Sequence, residues 1–237
     1  MMNDKGLVDR RAMLAQHFLL AQLDDSALDS LLAVASERQF TNNQVIFQKG
    51  DPGTSMMAVL NGRVRIGAYS EDGREIILNM IEPGQLFGEI ALLDGKERSA
   101  DATAMGKTTL LVLDRRDFIP FLEQNPKIMI RLFDVLCDRV RQTSEMVESI
   151  AFLDFGARLA KLLLQMAENY GQQNDRGLLI NLRISQSDIG NLIASTRESV
   201  NRQLNAWVQD EIIALDQGKI VILDREMLQL TAQSSGF

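Results

Sequence analysis

Between Phe40 and Leu113 the chain is broken at close intervals by turn dipeptides, and this limits its fold more than any other feature. Gly50-Asp51-Pro52-Gly53, Asn61-Gly62, Asp72-Gly73 and Pro83-Gly84 each interrupt a short apolar run. Runs this short, bounded by glycine, proline and asparagine, suit strands rather than helices. Asn-Gly and Asp-Gly supply the positive φ angles that a two-residue hairpin needs. Asn61-Gly62 is therefore expected to turn Met57-Ala58-Val59-Leu60 into Arg63-Val64-Arg65-Ile66. Asp72-Gly73 is expected to do the same between Ile66-Gly67-Ala68-Tyr69 and Glu75-Ile76-Ile77-Leu78. Many short strands in regular succession imply a β-barrel or jelly roll, a fold that shelters a small ligand.

Helical patterns flank this region. In residues 1–36, Leu19-Leu20, Leu23, Leu28, Leu31-Leu32 and Val34 recur at helical spacing. Asn125-Pro126 opens a long helix, with Asn expected as cap and Pro at the first helical position. Met129, Leu132, Leu136, Val140, Thr143, Val147 and Ile150 then follow steps of three and four, near the seam of a two-stranded coiled coil between subunits. Thr143 is the polar exception in that seam. Phe155 to Tyr170 reads as an amphipathic helix through Leu159, Leu162-Leu163 and Met166, and 171–177 reads as a polar loop.

A length of 237 residues suits two domains and a sizeable core. The net charge of −7 argues against a generic nucleic-acid sponge while leaving room for a local basic surface. One histidine, His17, and one cysteine, Cys137, cannot build a zinc site or an iron–sulfur centre, so no metal is expected. His17 reads as a helix surface or packing residue, and Cys137, within an apolar helical pattern, as a small buried hydrophobe. With no signal peptide and no long apolar run, no membrane is expected and the simplest location is the cytoplasm.

The densest chemistry lies in Phe87-Gly88-Glu89-Ile90-Ala91-Leu92-Leu93-Asp94-Gly95-Lys96-Glu97-Arg98-Ser99-Ala100. Backbone amides exposed by Gly88 and its neighbours can form an anion-binding concavity. Arg98 brings a permanently charged fork for a phosphate and Ser99 a hydroxyl. Glu89 can accept from a sugar hydroxyl, which a phosphate never donates. This run resembles the phosphate-binding cassette of cyclic-nucleotide-binding domains, as found in the cyclic-AMP receptor and FNR superfamily of bacterial regulators. The resemblance implies that Glu89 binds the ribose 2′-hydroxyl. It implies that Arg98 and Ser99, with the backbone of Gly88, Ile90 and Ala91, bind the cyclic phosphate. Arg139-Val140-Arg141-Gln142-Thr143-Ser144-Glu145 resembles the part of the family's dimer helix that reads adenine. On that resemblance Thr143 of one subunit and Ser144 of the other hydrogen-bond the base, with Arg139 near Glu89 and the ligand.

A second constellation, Ile184 to Leu204, has the form of a helix-turn-helix. Ser185 with Asp188, and Ser195 with Glu198, are spaced like capping boxes. Gly190 is the small residue that lets the helices approach, and Ile189, Ile193, Val200 and Leu204 supply their shared apolar contact. Arg197, Glu198 and Arg202 project from the second helix, where arginine can donate twice to guanine and glutamate can accept from cytosine. The Arg-Glu-x-x-x-Arg arrangement resembles that of the receptor family and implies TGTGA-like half-sites arranged as a palindrome. Ser185, Gln186 and Ser199 are expected at DNA phosphates, and Lys219 at the tip of a β-wing. Three positions depart from the family pattern: Ala194 replaces the usual turn glycine, Gln186 an arginine, and Asn201 a glycine on the groove face.

The expected fold is therefore α+β: a cyclic-nucleotide-binding β-jelly-roll over 1–124, a dimerisation helix over 125–151, and a winged helix-turn-helix over 152–237, hinged near Phe152-Leu153-Asp154. The expected function is a non-enzymatic, homodimeric transcription regulator of double-stranded DNA, controlled by cAMP and meeting RNA polymerase. Alternatives are control by cGMP, activity without a ligand, or a regulatory subunit of a cyclic-nucleotide-controlled enzyme. Residues 225–237 and the N-terminal helix have no assigned role.

Overall fold

A computed structural model describes residues 25–234. The helical pattern expected over 1–24, with His17, lies outside the described residues. Contacts divide the chain into two compact units: one runs to Ser70 and resumes over Leu78–Val140, and the other joins Glu71–Ile77 to the chain from Arg141 onward.

The described residues open with helix α1 (Asp25–Val34), followed by β1 (Ser36–Phe40), β2 (Val45–Phe47), β3 (Ser55–Tyr69), β4 (Glu75–Ile81), which crosses the unit boundary at Leu78, and β5 (Leu86–Phe87). Short helix α2 (Glu89–Asp94), strand β6 (Asp101–Asp114), α3 (Arg115–Gln124) and the long α4 (Pro126–Phe152) complete the sequence, α4 running on past the unit boundary. The sheet runs β1-β6-β3-β4, with β2 also on β6 and β5 on β3; β6 is antiparallel to β1, β2 and β3, and β5 to β3. Both faces of β3 are buried. Met56, Ala58 and Leu60 join Leu111 and Leu113 under Leu31, Phe118, Leu122 and Leu132 from the helices. Met57 and Val59 turn the other way, onto Phe87, Leu110 and Val112.

The expected hairpin at Asn61-Gly62 is not formed. β3 runs straight through it, and the register against β6 shifts on both sides of Asn61. The dipeptide instead makes a β-bulge. Gly62 adopts φ +82°, and a Cβ there would stand 2.5 Å from the carbonyl oxygen of Lys107. One extra residue exchanges the two faces, so Val64 and Ile66 join the cluster of Met57 and Val59 rather than that of Met56 and Ala58. Asp72-Gly73 does lie in the connection between β3 and β4, with Gly73 at φ +80°.

Helix α4 starts at Pro126 as expected, but the Asn125 side chain does not cap it: its amide donates to the Phe121 carbonyl. Only Ile128 and Leu132 of this helix are buried, while Met129, Val140, Val147 and Ile150 are exposed. Cys137 is exposed too, against expectation, because it lies on the side of α4 that the chain's own sheet and helices leave open.

The second unit is built on α5 (Phe155–Tyr170), whose N-terminus is capped by Asp154 accepting from the Ala157 amide. Its buried face carries Leu159, Leu163 and Met166. Residues 171–177 form a hairpin rather than the expected polar loop: β7 (Gly171–Asn174) pairs with β8 (Gly177–Ile180). All of β7 is exposed, so it lacks the apolar alternation by which a strand is recognised. α6 (Gln186–Leu192), α7 (Arg197–Gln209), β9 (Ile213–Asp216) and β10 (Lys219–Ile222) follow, in a sheet ordered β7-β8-β10-β9. Arg225–Ala232 form α8, which packs against α5 through buried Leu228. No helix among the described residues is long and apolar enough to cross a membrane.

Candidate functional site

The cassette turns on two left-handed glycines that bracket α2, Gly88 at φ +78° and Gly95 at φ +72°. No side chain caps the start of the helix. A Cβ on Gly88 would meet an Arg98 guanidinium nitrogen at 2.7 Å, so glycine is needed both for conformation and for space. Gly53 is needed for space alone, since a Cβ there would collide with that of Ala91.

Arg98 is held from several directions and is 5% exposed. Its backbone N–H donates to Asp51 and its carbonyl accepts from Gly50. One terminal nitrogen donates to the Gly88 carbonyl at 2.9 Å and the other to Ser55 Oγ at 3.1 Å. The guanidinium carbon sits 4.2 Å from the centre of the Phe47 ring, and Nε is buried without an acceptor. Burial pushes the guanidinium pKa down, against the pull of Asp51 and Glu89, which favour the charge. Glu89 is buried and pairs with Arg139 from α4, Oε1 to Nε at 2.7 Å. Arg139 also donates to the Leu86 carbonyl.

Glu89, Arg98, Gly88 and Arg139 are thus gathered within the first unit. Ala91 is buried, while Ile90 and Ser99 are exposed at the rim. Thr143 and Ser144 are exposed on α4 beyond Val140, in the second unit. Phe47 and Ser55 went unnoticed in the sequence, since an aromatic in a short strand and a serine at a strand start carry no signal of their own. Among the described residues no cluster of His, Cys, Asp and Glu is placed to hold a metal ion.

The second unit presents α6 and α7 as a helix pair. Ile189, Ile193, Val200 and Leu204 are all buried. A Cβ on Gly190 would lie 2.9 Å from the Ser195 carbonyl oxygen, which explains the glycine. Ser185 caps α6, accepting from the Asp188 amide and donating to its carboxylate at 2.6 Å. The cap of α7 is Thr196, one residue after the expected Ser195, and it accepts from the Ser199 amide. Ala194 takes the left-handed conformation at φ +51°, where a glycine would be unstrained.

Arg197, Glu198, Asn201 and Arg202 line one open depression on α7. Their Cα positions follow the i, i+4 rule, Arg197 above Asn201 and Glu198 above Arg202. None of the three charged side chains is ion-paired among the described residues. Lys219 opens β10 after a Gln217-Gly218 turn with both φ positive, and donates to Asn181 Oδ1 at 2.6 Å.

Residues 37–125 match the cyclic nucleotide-binding domain model, and residues 157–231 match the Crp-like helix-turn-helix domain. A global nitrogen regulator of Nostoc is 30% identical over 185 residues, which is 77% of this chain and 83% of that protein. The chain belongs to the CRP/FNR family of transcription regulators. A CRP-like cAMP-activated global transcriptional regulator of Mycobacterium tuberculosis is 29% identical over 221 residues, 93% of this chain and 99% of the relative. A solved CRP/FNR-family regulator from Thermus thermophilus superposes with a TM-score of 0.69 at 26% identity, covering 85% of this chain and all of that one. As a CRP/FNR protein the chain is a DNA-binding regulator and not an enzyme, and its first unit is a cyclic-nucleotide-binding domain. Its cassette fits such a ligand: a buried arginine with an unsatisfied Nε lies beside a glycine that leaves room for it, and a buried carboxylate follows that glycine.

Proposed function

We propose that this CRP/FNR protein is a cytoplasmic homodimer that binds cAMP and, in response, binds palindromic DNA with TGTGA-like half-sites and meets RNA polymerase. The single observation that carries the ligand reading is the buried Arg98, held by Gly88, Ser55 and Phe47 and still short of one acceptor. In this reading Arg98, Ser99 and the amides of Gly88, Ile90 and Ala91 hold the cyclic phosphate, and Glu89 accepts from the ribose 2′-hydroxyl. Arg139 lies beside that hydroxyl, while Thr143 of one subunit and Ser144 of the other contact the base.

The exposed apolar residues of α4 form the subunit seam, so each ligand bridges the sheet and both helices. The working division is 1–124, 125–151 and 152–237. Arg197, Glu198 and Arg202 read base edges, and Ser185, Gln186, Ser199 and Lys219 contact phosphates. DNA must then raise nucleotide affinity by the factor by which nucleotide raises DNA affinity.

A ligand-independent reading has its own support. Glu89 already has Arg139, and Arg98 already has two acceptors, so most of the cassette's charge is satisfied from within. Titration calorimetry with cAMP and with cGMP, alongside operator binding at fixed salt, separates these readings. Tight cAMP binding with cAMP-dependent operator affinity supports the proposal. Preference for cGMP keeps the mechanism and moves the question to Thr143 and Ser144. Operator binding with no heat from either nucleotide supports ligand-independent action.

A further inference from the structure

Asn201 stands between the charged residues of the α7 depression, and its amide is held on both sides. Its Nδ2 donates to Gln186 Oε1 of α6 at 2.9 Å, and its Oδ1 accepts from Asn205 Nδ2, one turn further along α7, at 2.7 Å. An asparagine amide has two donor hydrogens and an oxygen with two lone pairs. After these two bonds one donor hydrogen and one acceptor lone pair of the amide remain. That is the pattern which adenine complements in the major groove through its N7 acceptor and N6 donor.

We infer that Asn201 is a further specificity-determining residue, reading the adenine of an A·T pair beside the base pairs read by Arg197, Glu198 and Arg202. The inference builds on the DNA-reading role proposed above for that face. Gln186 and Asn205 are positioning residues: they fix the rotation of the amide, so little side-chain freedom is lost when the base is met. Arg197, Asn201 and Asn205 form one row along α7 at i, i+4 steps, which sets Asn201 one helical turn beyond the Arg197 contact.

The test uses the full chain under conditions that support operator binding. Each half-site position is varied through all four bases and affinities are measured by competition. In the unmodified protein one position is expected to favour adenine by about 5- to 150-fold. Asn201→Ala is expected to level the bases at that position alone, and Asn205→Ala to weaken the same preference in part. Arg202→Ala is expected to level a different position. Melting curves for each variant show whether the fold is kept.

If Asn201→Ala lowers affinity for every sequence equally, or leaves every preference in place, the residue only braces α6 against α7 and the inference fails while the Arg202 role stands. If Arg202→Ala changes no preference either, the base-reading role of the whole face has failed, and this inference fails with it.

Discussion

Glu89 and Arg139 form an ion pair across 2.7 Å in which the carboxylate side chain is only 2% exposed. The pair ties the start of α2 to α4. Deleting one partner of a buried pair leaves the other charge without compensation, which costs far more than the pair itself contributes. Arg139→Leu is therefore expected to lower the stability of the ligand-free protein by about 3 kcal/mol. Differential scanning calorimetry reads this as a lower melting temperature, and an unchanged one would mean that Glu89 finds another partner.

Arg98→Leu is expected to abolish nucleotide binding while leaving far-UV circular dichroism and oligomeric state unchanged. Phe47→Ala removes the ring beneath the guanidinium and is expected to weaken nucleotide binding by about 1 kcal/mol. Normal calorimetric affinity in the Arg98 variant would remove this residue from the ligand site.

Ala194 carries a conformational penalty that a glycine would not, because its φ is +51°. Strain in the left-handed region is about 1–2 kcal/mol, and glycine gives back part of that gain through the greater freedom of its unfolded chain. Ala194→Gly is expected to stabilise the protein by about 0.5–1 kcal/mol. The measurement is a urea midpoint that rises with an unchanged slope.

Gly190→Ala works in the opposite sense. The added carbon would press on the backbone of the turn between α6 and α7, at 2.9 Å from one carbonyl oxygen and 3.2 Å from the next residue's carbonyl carbon. A loss of about 1–3 kcal/mol is expected from such overpacking, together with weaker operator binding as α7 shifts. Wild-type stability and operator affinity in this variant would show that the turn yields freely.

Arg202→Ala is expected to cost about 1–3 kcal/mol on the cognate operator and to relax one base position. Gel-shift titration against cognate and random duplexes distinguishes base reading from simple charge. An equal loss on both would assign Arg202 to the phosphates.

The helix-turn-helix was readable because its signals are local. Ile189, Ile193, Val200 and Leu204 are close in sequence and all end up buried, and Ser185 caps the helix that its spacing indicated. The boundary of α7 was off by one because Ser195 and Thr196 are both plausible caps, and only the backbone decides between them. Asn61-Gly62 misled for a related reason: a dipeptide that favours positive φ suits a bulge as well as a hairpin turn. The support around Arg98 could not be read at all, since Ser55 lies 43 residues away in sequence and meets it only once β3 and the cassette loop are assembled. Helix α8, left without a role in the sequence, becomes intelligible only through its packing on α5.

The bulge at Asn61-Gly62 also governs which length changes this gene could survive. A single-codon deletion there would remove the extra residue, restore plain alternation and leave Val64 and Ile66 in their cluster. Losing both Asn61 and Gly62 would instead bring Arg63 and Arg65 into that cluster and turn Val64 and Ile66 out, exchanging oil for charge along half of β3. Loss of one residue at this point is thus expected to be tolerated and loss of two rejected, a counting rule set by the one residue that the bulge adds.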